Sequence, residues 1–351
     1  MKGFKIFDAG DARLCDDIPI PELGMNETLI KIKYAGICGS DIHPWKAGVK
    51  YQTGGTPYVL GHEFIGTVVD SVDDGKVLYK KGDLVTGNPI FWCGVCPACQ
   101  AGHHSYCHNM KVMATKEGAN GSYAEYAKVP AKSVFPIADR VDRKIAAVTE
   151  PLAVGVYDVR MSGIRGGQTA LVSGAGTIGA MVGLAARRAG AKVLFSEVNE
   201  NRIAFVRKLG FDAINPIKCD ALEAAKEWNG GELFDVVYEV SGAQPSYDLC
   251  VDAVKQGGTF MMIGITTVQR SFYPRRMIVK QVRMQGVNCY EDNDFAEAVK
   301  IVNEGSLDEY LKEFVTDIYP LDQAFDAYMR AMDPSGEQVK VLIDCDPGNE
   351  V

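Results

Sequence analysis

Apolar and polar positions divide the chain into two regimes. Over roughly the first 150 residues, short β-branched runs are cut by Gly and Pro, and residues 28–34, 64–69, 84–86 and 123–129 each have the length and period of a strand. A barrel-like β domain is the natural product. Further on the period changes. A strand-like run at 169–173 leads into a helical segment at 178–189 closed by Gly190, then a strand at 193–195 and a helix at 201–209 ended by Gly210. The alternation continues through 234–240, 245–254 and 260–263, which predicts a parallel sheet with right-handed crossovers. Helical periodicity returns at 295–303 and 321–332, followed by an alternating apolar stretch at 339–344. A strand arriving after so much helix does not fit the parallel sheet, and it is expected to return to the first domain. There is no internal repeat and no low-complexity segment.

Composition agrees with this division. The 351 residues are 47% apolar and 23% charged, which excludes a disordered segment, a collagen-like fibre and a small disulfide scaffold. A chain of this length is near the limit of one core, so two domains are expected. Its 37 Lys and Arg against 45 Asp and Glu give a formal charge of -8 with no long run of one sign. That balance argues against a general partner for nucleic acid or anionic membranes. No apolar run approaches the eighteen or so residues of a membrane span. Lys2, Lys5 and Asp8 stand too close together for a signal peptide, so a cytoplasmic location is expected.

The first candidate chemistry lies at the start of the second regime. Gly174-Ala175-Gly176-Thr177-Ile178-Gly179 is a G-x-G-x-x-G between a predicted strand and a predicted helix. Gly174 permits the tight turn, Gly176 lets the backbone approach a pyrophosphate, and Gly179 lets the helix pack on the strand. The helix N-terminus offers free N–H groups to the phosphates. Alone, such a motif is also read as a chance glycine turn. Glu197, at the end of the second strand, favours the dinucleotide reading because an acid there can bind the adenosine ribose hydroxyls. The same carboxylate repels a 2′-phosphate and points to NAD over NADP. Arg202 works the other way, since a guanidinium can accept that phosphate, although a solvated cation at a helix start is its plainer role.

Cysteine placement supplies the second candidate. Cys93, Cys96, Cys99 and Cys107 fall in one short loop with Gly94, Pro97 and Gly102 to fold it. Four thiolates at this spacing can close a tetrahedron around Zn²⁺ and leave no position for a substrate, which reads as a structural zinc. An iron–sulfur cluster or two disulfides fit the expected compartment less well. The neighbouring His103, His104 and His108 are expected on the surface.

A third constellation is mixed. Cys38-Gly39-Ser40-Asp41-Ile42-His43 follows one predicted strand and Gly61-His62-Glu63 opens the next. Cys38, His62 and one carboxylate make a three-ligand set that keeps a coordination position open. Taken singly, Cys38 reads as a buried thiol, His62 as a satisfied core histidine, and Glu63 and Glu150 as solvated acids. Beside a nucleotide fold the combination reads as a site, with Glu150 before Pro151 at the junction where a cleft is expected.

These segments, with the Glu150-Pro151-Leu152-Ala153-Val154-Gly155 junction, resemble the zinc-dependent medium-chain alcohol dehydrogenase superfamily in order and spacing over nearly the whole chain, and within it the polyol branch of sorbitol and 2,3-butanediol dehydrogenases. The resemblance implies an α/β architecture: a GroES-like β-barrel catalytic domain at 1–152, a Rossmann doubly wound coenzyme domain at 153–293, and a segment at 294–351 that returns to the catalytic domain. It implies NAD-linked interconversion of a secondary alcohol and a ketone, two zinc ions per chain, and a homodimer or homotetramer. Carried over by residue, Cys38, His62 and Glu63 hold the catalytic zinc, while Glu150 stands where classical members have a second cysteine, so the carboxylate that touches the metal stays open. Ser40 and His43 match the proton relay and Asp41 the acid that orients the ligating histidine. Val154, Ile263 and Ile265 fall where relatives pack the nicotinamide.

Departures bear on the substrate. Pro44 and Cys289 occupy positions that sorbitol dehydrogenases give to a tyrosine and an arginine, which argues against sorbitol and leaves Trp45 and Tyr290 as expected pocket walls. Arg275 and Arg276 are read as solvated or subunit-contact residues. Two rival readings are an L-threonine 3-dehydrogenase-like oxidation of an amino alcohol and a non-catalytic nucleotide-binding member of the superfamily. Every expected ligand is present, which disfavours the second.

Overall fold

The computed structural model describes residues 1–47, 57–73, 75–115 and 120–348, and the chain forms two compact units. One contains residues 1–150, 291–334 and 340 onward; the other contains 151–290 and 335–339. In the first, the strands Glu27–Gly36 and Glu63–Val72 form a long antiparallel pair. They lie within a seven-stranded sheet ordered Val134–Pro136, Leu84–Gly87, Glu63–Val72, Glu27–Gly36, Lys340–Asp344, Val315–Pro320, with Tyr126–Pro130 also pairing Glu27–Gly36. Alternate residues point inward, so Ile30, Ile32, Phe64, Val68, Ala127, Val129, Val341 and Ile343 join Phe4 and Ile6 in one core.

Register fixes what comes together. Gly36 pairs with Glu63, and Gly36 also pairs with Leu342 in the antiparallel strand from the C-terminal segment. Cys38, His62, Glu63 and Lys340 are therefore delivered to one end of the sheet by three separate segments.

The second unit is a six-stranded sheet with every neighbouring pair parallel, in the order Asp212–Ile214, Lys192–Ser196, Thr169–Ser173, Phe234–Glu239, Val254–Met262, Arg283–Gly286. Counted along the chain this is the 3-2-1-4-5-6 order of the doubly wound dinucleotide fold. The direction of winding reverses between Thr169–Ser173 and Phe234–Glu239. Helices Glu200–Lys208 and Ala221–Trp228 begin where Asn199 and Asp220 accept hydrogen bonds from two backbone N–H groups each.

The C-terminal segment differs from expectation in one stretch. Residues 335–339 belong with the second unit, because Thr177 Oγ1 donates to the Val339 carbonyl at 2.6 Å and Asn199 Nδ2 to that of Ser335 at 2.8 Å. Lys340–Asp344 then enters the first unit's sheet. Among the described residues no helix is long and apolar enough to cross a membrane.

Candidate active site and metal centres

Cys38 follows the strand Glu27–Gly36 and precedes the turn Gly39–Asp41, while His62 and Glu63 lie at the start of the paired strand. Gly61 has φ +94°, and a Cβ there would sit 2.2 Å from the Tyr123 ring, so glycine is required before His62. One ligand atom from each of Cys38, His62 and Glu63 lies within 4.8 Å of the others. A thiol, an imidazole and a carboxylate gathered this closely suit a divalent ion such as Zn²⁺.

Asp41 stands behind the histidine. Its buried carboxylate faces His62 Nδ1 at 3.4 Å and accepts from Tyr123 Oη at 2.6 Å and the Cys38 N–H at 3.0 Å. Tyr328 Oη donates to the Asp41 carbonyl at 2.5 Å. With Nδ1 turned to Asp41, Nε2 is the nitrogen left for a metal. Burial opposes charge on both partners, but their mutual attraction outweighs it. Asp41 is held below the usual carboxylate range and metal-free His62 well above the usual imidazole value, with Cys38 adding to the latter.

Glu63 is balanced by a residue that sequence reasoning missed. Lys340 is 3% exposed, and its Nζ lies 2.8 Å from both Glu63 oxygens and 3.0 Å from the Ile37 carbonyl. Burial lowers the Lys340 pKa, but Glu63 and Cys38 reverse this and raise it, with Glu150 adding at longer range. A Cβ on Gly36 would come within 2.2 Å of Glu63 Oε2, so the carboxylate fills the space that glycine leaves. Glu150 is buried in the first turn of the helix Thr149–Ser162, outside the three-donor set. Ser40 and His43 are half-buried on the turn and helix after Cys38.

The four-cysteine loop is equally compact. Cys93 Sγ lies 4.0 Å from Cys99 Sγ, and Cys96 Sγ lies 4.0 Å from Cys107 Sγ. Zinc–sulfur bonds of about 2.3 Å in a tetrahedron place sulfurs about 3.8 Å apart, so the cluster fits zinc rather than disulfides. Backbone N–H groups of Val95 and Cys96 pull the Cys93 thiol down to about 6, whereas burial pushes Cys99 up to about 12. His103 and His108 are exposed as expected, and His104 is half-buried. Its ring stacks on Trp92 at 3.8 Å, and its Nδ1 lies 3.0 Å from Asp292, because the helix Asp292–Glu304 presents an acid that also accepts from Trp92 Nε1 at 2.7 Å.

In the second unit the glycine loop has the predicted form. Gly174 adopts φ +112°, a Cβ on Gly179 would lie 2.0 Å from the Gly174 carbonyl, and one on Gly176 would meet nothing within 4 Å. The backbone is thus closed on its own helix and open at Gly176, the N-cap of the helix Thr177–Arg188. Ile178 in its first turn is half-buried. Glu197 is buried, its Oε2 accepting from the Ala175 N–H at 2.8 Å and its Oε1 from the N–H groups of Val198 and Asn199. It braces the loop, and any contact to a ribose uses its remaining lone pairs. Arg202 is half-buried at the start of the following helix. Val154 and Ile263 are half-buried, and Ile265 is 70% exposed.

Of the expected pocket walls, Trp45 packs edge-on against Phe325 and Tyr328 with ring centroids 5.8 and 5.7 Å away. Tyr290 is 2% exposed.

This fold and these two cysteine-bearing clusters define a metal-dependent dehydrogenase architecture, and the chain belongs to the zinc-dependent medium-chain dehydrogenases. Residues 24–139 match the family model of the alcohol dehydrogenase GroES-like domain, and residues 177–304 match that of the zinc-binding dehydrogenases. The chain is 33% identical to 2-dehydro-3-deoxy-L-galactonate 5-dehydrogenase of Pseudoalteromonas atlantica over 325 residues, 93% of each chain. It is also 33% identical to L-threonine 3-dehydrogenase of Escherichia coli, over 99% of this chain and 100% of that one. Among solved structures it is similar to 2R,3R-butanediol dehydrogenase from Bacillus subtilis, at 28% identity and TM-score 0.87, covering 98% of this chain and 99% of that one. A zinc-binding dehydrogenase from Sinorhizobium meliloti, solved bound to NADP, gives 29% identity and TM-score 0.87 with 98% of both chains covered.

Proposed function

We propose that this chain interconverts a secondary alcohol, of the diol, polyol or sugar-alcohol class, and its ketone, with NAD as preferred coenzyme and with two zinc ions per chain. The observation that carries the reading is the convergence of Cys38, His62 and Glu63 within 4.8 Å, with Asp41 behind the histidine. Zinc held there supplies a Lewis acid for a substrate hydroxyl, and the nicotinamide supplies the hydride acceptor. Cys38, His62 and Glu63 are its donors, with Lys340 sharing the charge of Glu63. Asp41 fixes the imidazole tautomer, and Tyr123 and Tyr328 fix Asp41. Ser40 takes the hydroxyl proton and His43 passes it to solvent. Gly174, Gly176, Thr177, Ile178 and Gly179 hold the pyrophosphate, Glu197 faces the ribose, and Val154, Ile263 and Ile265 flank the nicotinamide. Cys93, Cys96, Cys99 and Cys107 hold the second zinc, which is structural.

The identity to L-threonine 3-dehydrogenase over the full length supports a second reading, oxidation of an amino alcohol of the L-threonine type. A rate panel separates the two: 2,3-butanediol, sorbitol, sugar acids, polyol phosphates and L-threonine, each with NAD and with NADP, followed by reduced-coenzyme absorbance on zinc-replete protein. Turnover of a diol or polyol with NAD above L-threonine is the expected result. Preference for L-threonine selects the second reading, and no turnover of any secondary alcohol with either coenzyme contradicts both.

A further inference from the structure

Glu239 ends the strand Phe234–Glu239, and its register partner across the winding reversal is Ser173, immediately before Gly174. Ligands of open parallel sheets bind outside the carboxyl ends of the strands at such a reversal. The Glu239 side chain is fully buried. Its Oε1 accepts from the Ser241 N–H at 3.0 Å, Ser241 Oγ at 2.9 Å and the Gly242 N–H at 2.8 Å. Ser241 Oγ itself accepts from the Ala243 N–H at 3.1 Å, which leaves its proton for the carboxylate. Three donors therefore converge on this one oxygen. Its Oε2 is buried and has no hydrogen-bond partner among the described residues. Arg270, on a neighbouring loop, commits its guanidinium elsewhere, with Nε on the Gly242 carbonyl at 2.7 Å and Nη2 on Thr266 Oγ1 at 3.4 Å. Among the described residues the carboxylate makes no ion pair, and its Oε1 is held by the dipoles of the 241–242 turn.

The turn it holds is wedged among the loops at this edge of the sheet. A Cβ on Gly174 would lie 3.1 Å from the Ser241 nitrogen. One on Gly264 would lie 2.4 Å from the Gly242 nitrogen and 2.8 Å from Glu239 Oε2. The Glu239 carbonyl accepts from the N–H groups of Ile263 at 2.9 Å and Gly264 at 3.0 Å. One residue therefore ties the 241–242 turn, which lies against Gly174, to the Ile263 strand end. Burial raises the Tyr247 and Cys250 pKa values, and the neighbouring Glu239 adds to both.

A nicotinamide ring is cationic when oxidised and neutral when reduced, so a fixed buried anion beside it stabilises the first form selectively. We propose that Glu239 is a positioning residue of the coenzyme site that also biases it toward the oxidised nicotinamide. This rests on the reading that Ile263 flanks that ring. Glu239→Gln keeps an oxygen acceptor for Ser241 and Gly242, removes the charge and puts an amide NH2 in place of Oε2.

The test is the dissociation constants of NAD⁺ and NADH for wild type and variant by calorimetry. The expected result is an approximately tenfold rise in Kd(NAD⁺)/Kd(NADH), equivalent to about 30 mV for a two-electron couple. Glu239→Asp, which keeps the charge on a shorter arm, weakens both constants and leaves the ratio within about twofold; it serves as the readout if the Gln variant does not fold. Equal changes in both constants on Glu239→Gln, or a ratio lost in Glu239→Asp, overturn the proposal while leaving the coenzyme reading intact. A wild type that binds neither coenzyme overturns that reading and the proposal with it.

Discussion

Lys340 and Glu63 face one another with 3% and 1% of their side chains exposed, so each makes the other tolerable in the interior. Removing one partner of a buried pair leaves a charge with nothing to balance it, which costs about 3–5 kcal/mol, whereas replacing both by apolar groups is far gentler. Lys340→Met is therefore expected to destabilise the protein by about 3 kcal/mol, and Lys340→Met with Glu63→Met to recover most of that, as read by denaturant unfolding of the metal-stripped protein. A single variant as stable as wild type would refute the pairing. Sequence reasoning found Cys38, His62, Glu63 and Asp41 because they lie in two short motifs. Lys340 contacts Glu63 across 277 positions, Tyr328 reaches Asp41 across 287 and Tyr123 across 82, and none of the three carries a local pattern. The signal for Lys340 was faint but present: a lysine opening the apolar run Val341-Leu342-Ile343 of the final strand.

At the scale of elements, the four-cysteine loop is anchored to the helix Asp292–Glu304 by side chains rather than by metal alone. Asp292 accepts from Asn88 Nδ2 at 2.8 Å and Trp92 Nε1 at 2.7 Å, and His104 Nδ1 lies 3.0 Å away. Glu291 accepts from the His104 N–H and from Ser105 Oγ, and Lys132 Nζ lies 3.2 Å above the other partner of the stack, Trp92. Losing an acceptor that satisfies several part-buried donors costs about 1–3 kcal/mol. Asp292→Ala should lower thermal stability by that amount and speed zinc loss from the loop to a chelator, with a change in Trp92 fluorescence. Unchanged release kinetics would show that the loop stands independently of the helix. Elements with clean periodicity were legible: the strands at 28–34 and 64–69 appear as Glu27–Gly36 and Glu63–Val72, and the helix at 178–189 as Thr177–Arg188. The helix Thr149–Ser162 was not, because it is buried on nearly all sides and contains Pro151, so it shows no amphipathic stripe. The short hairpin Gly3–Asp8 with Asp11–Cys15 gives too few alternations to stand out.

Across the whole molecule, the metal donors lie in one unit and the glycine loop in the other, so the two chemistries can be separated by mutation. The alternation of strand and helix made a parallel sheet legible, but the 3-2-1-4-5-6 order was not, since it depends on which side each crossover packs. Nor was the excursion of 335–339, which is decided by two carbonyls meeting Thr177 and Asn199 rather than by any apolar pattern. The most direct test of the central claim is zinc content per chain, by elemental analysis, in wild type and His62→Ala. Two zinc ions falling to one, with NAD affinity kept within about threefold, is what this account predicts. A single zinc in fully loaded wild type, or two retained after His62→Ala, would contradict it.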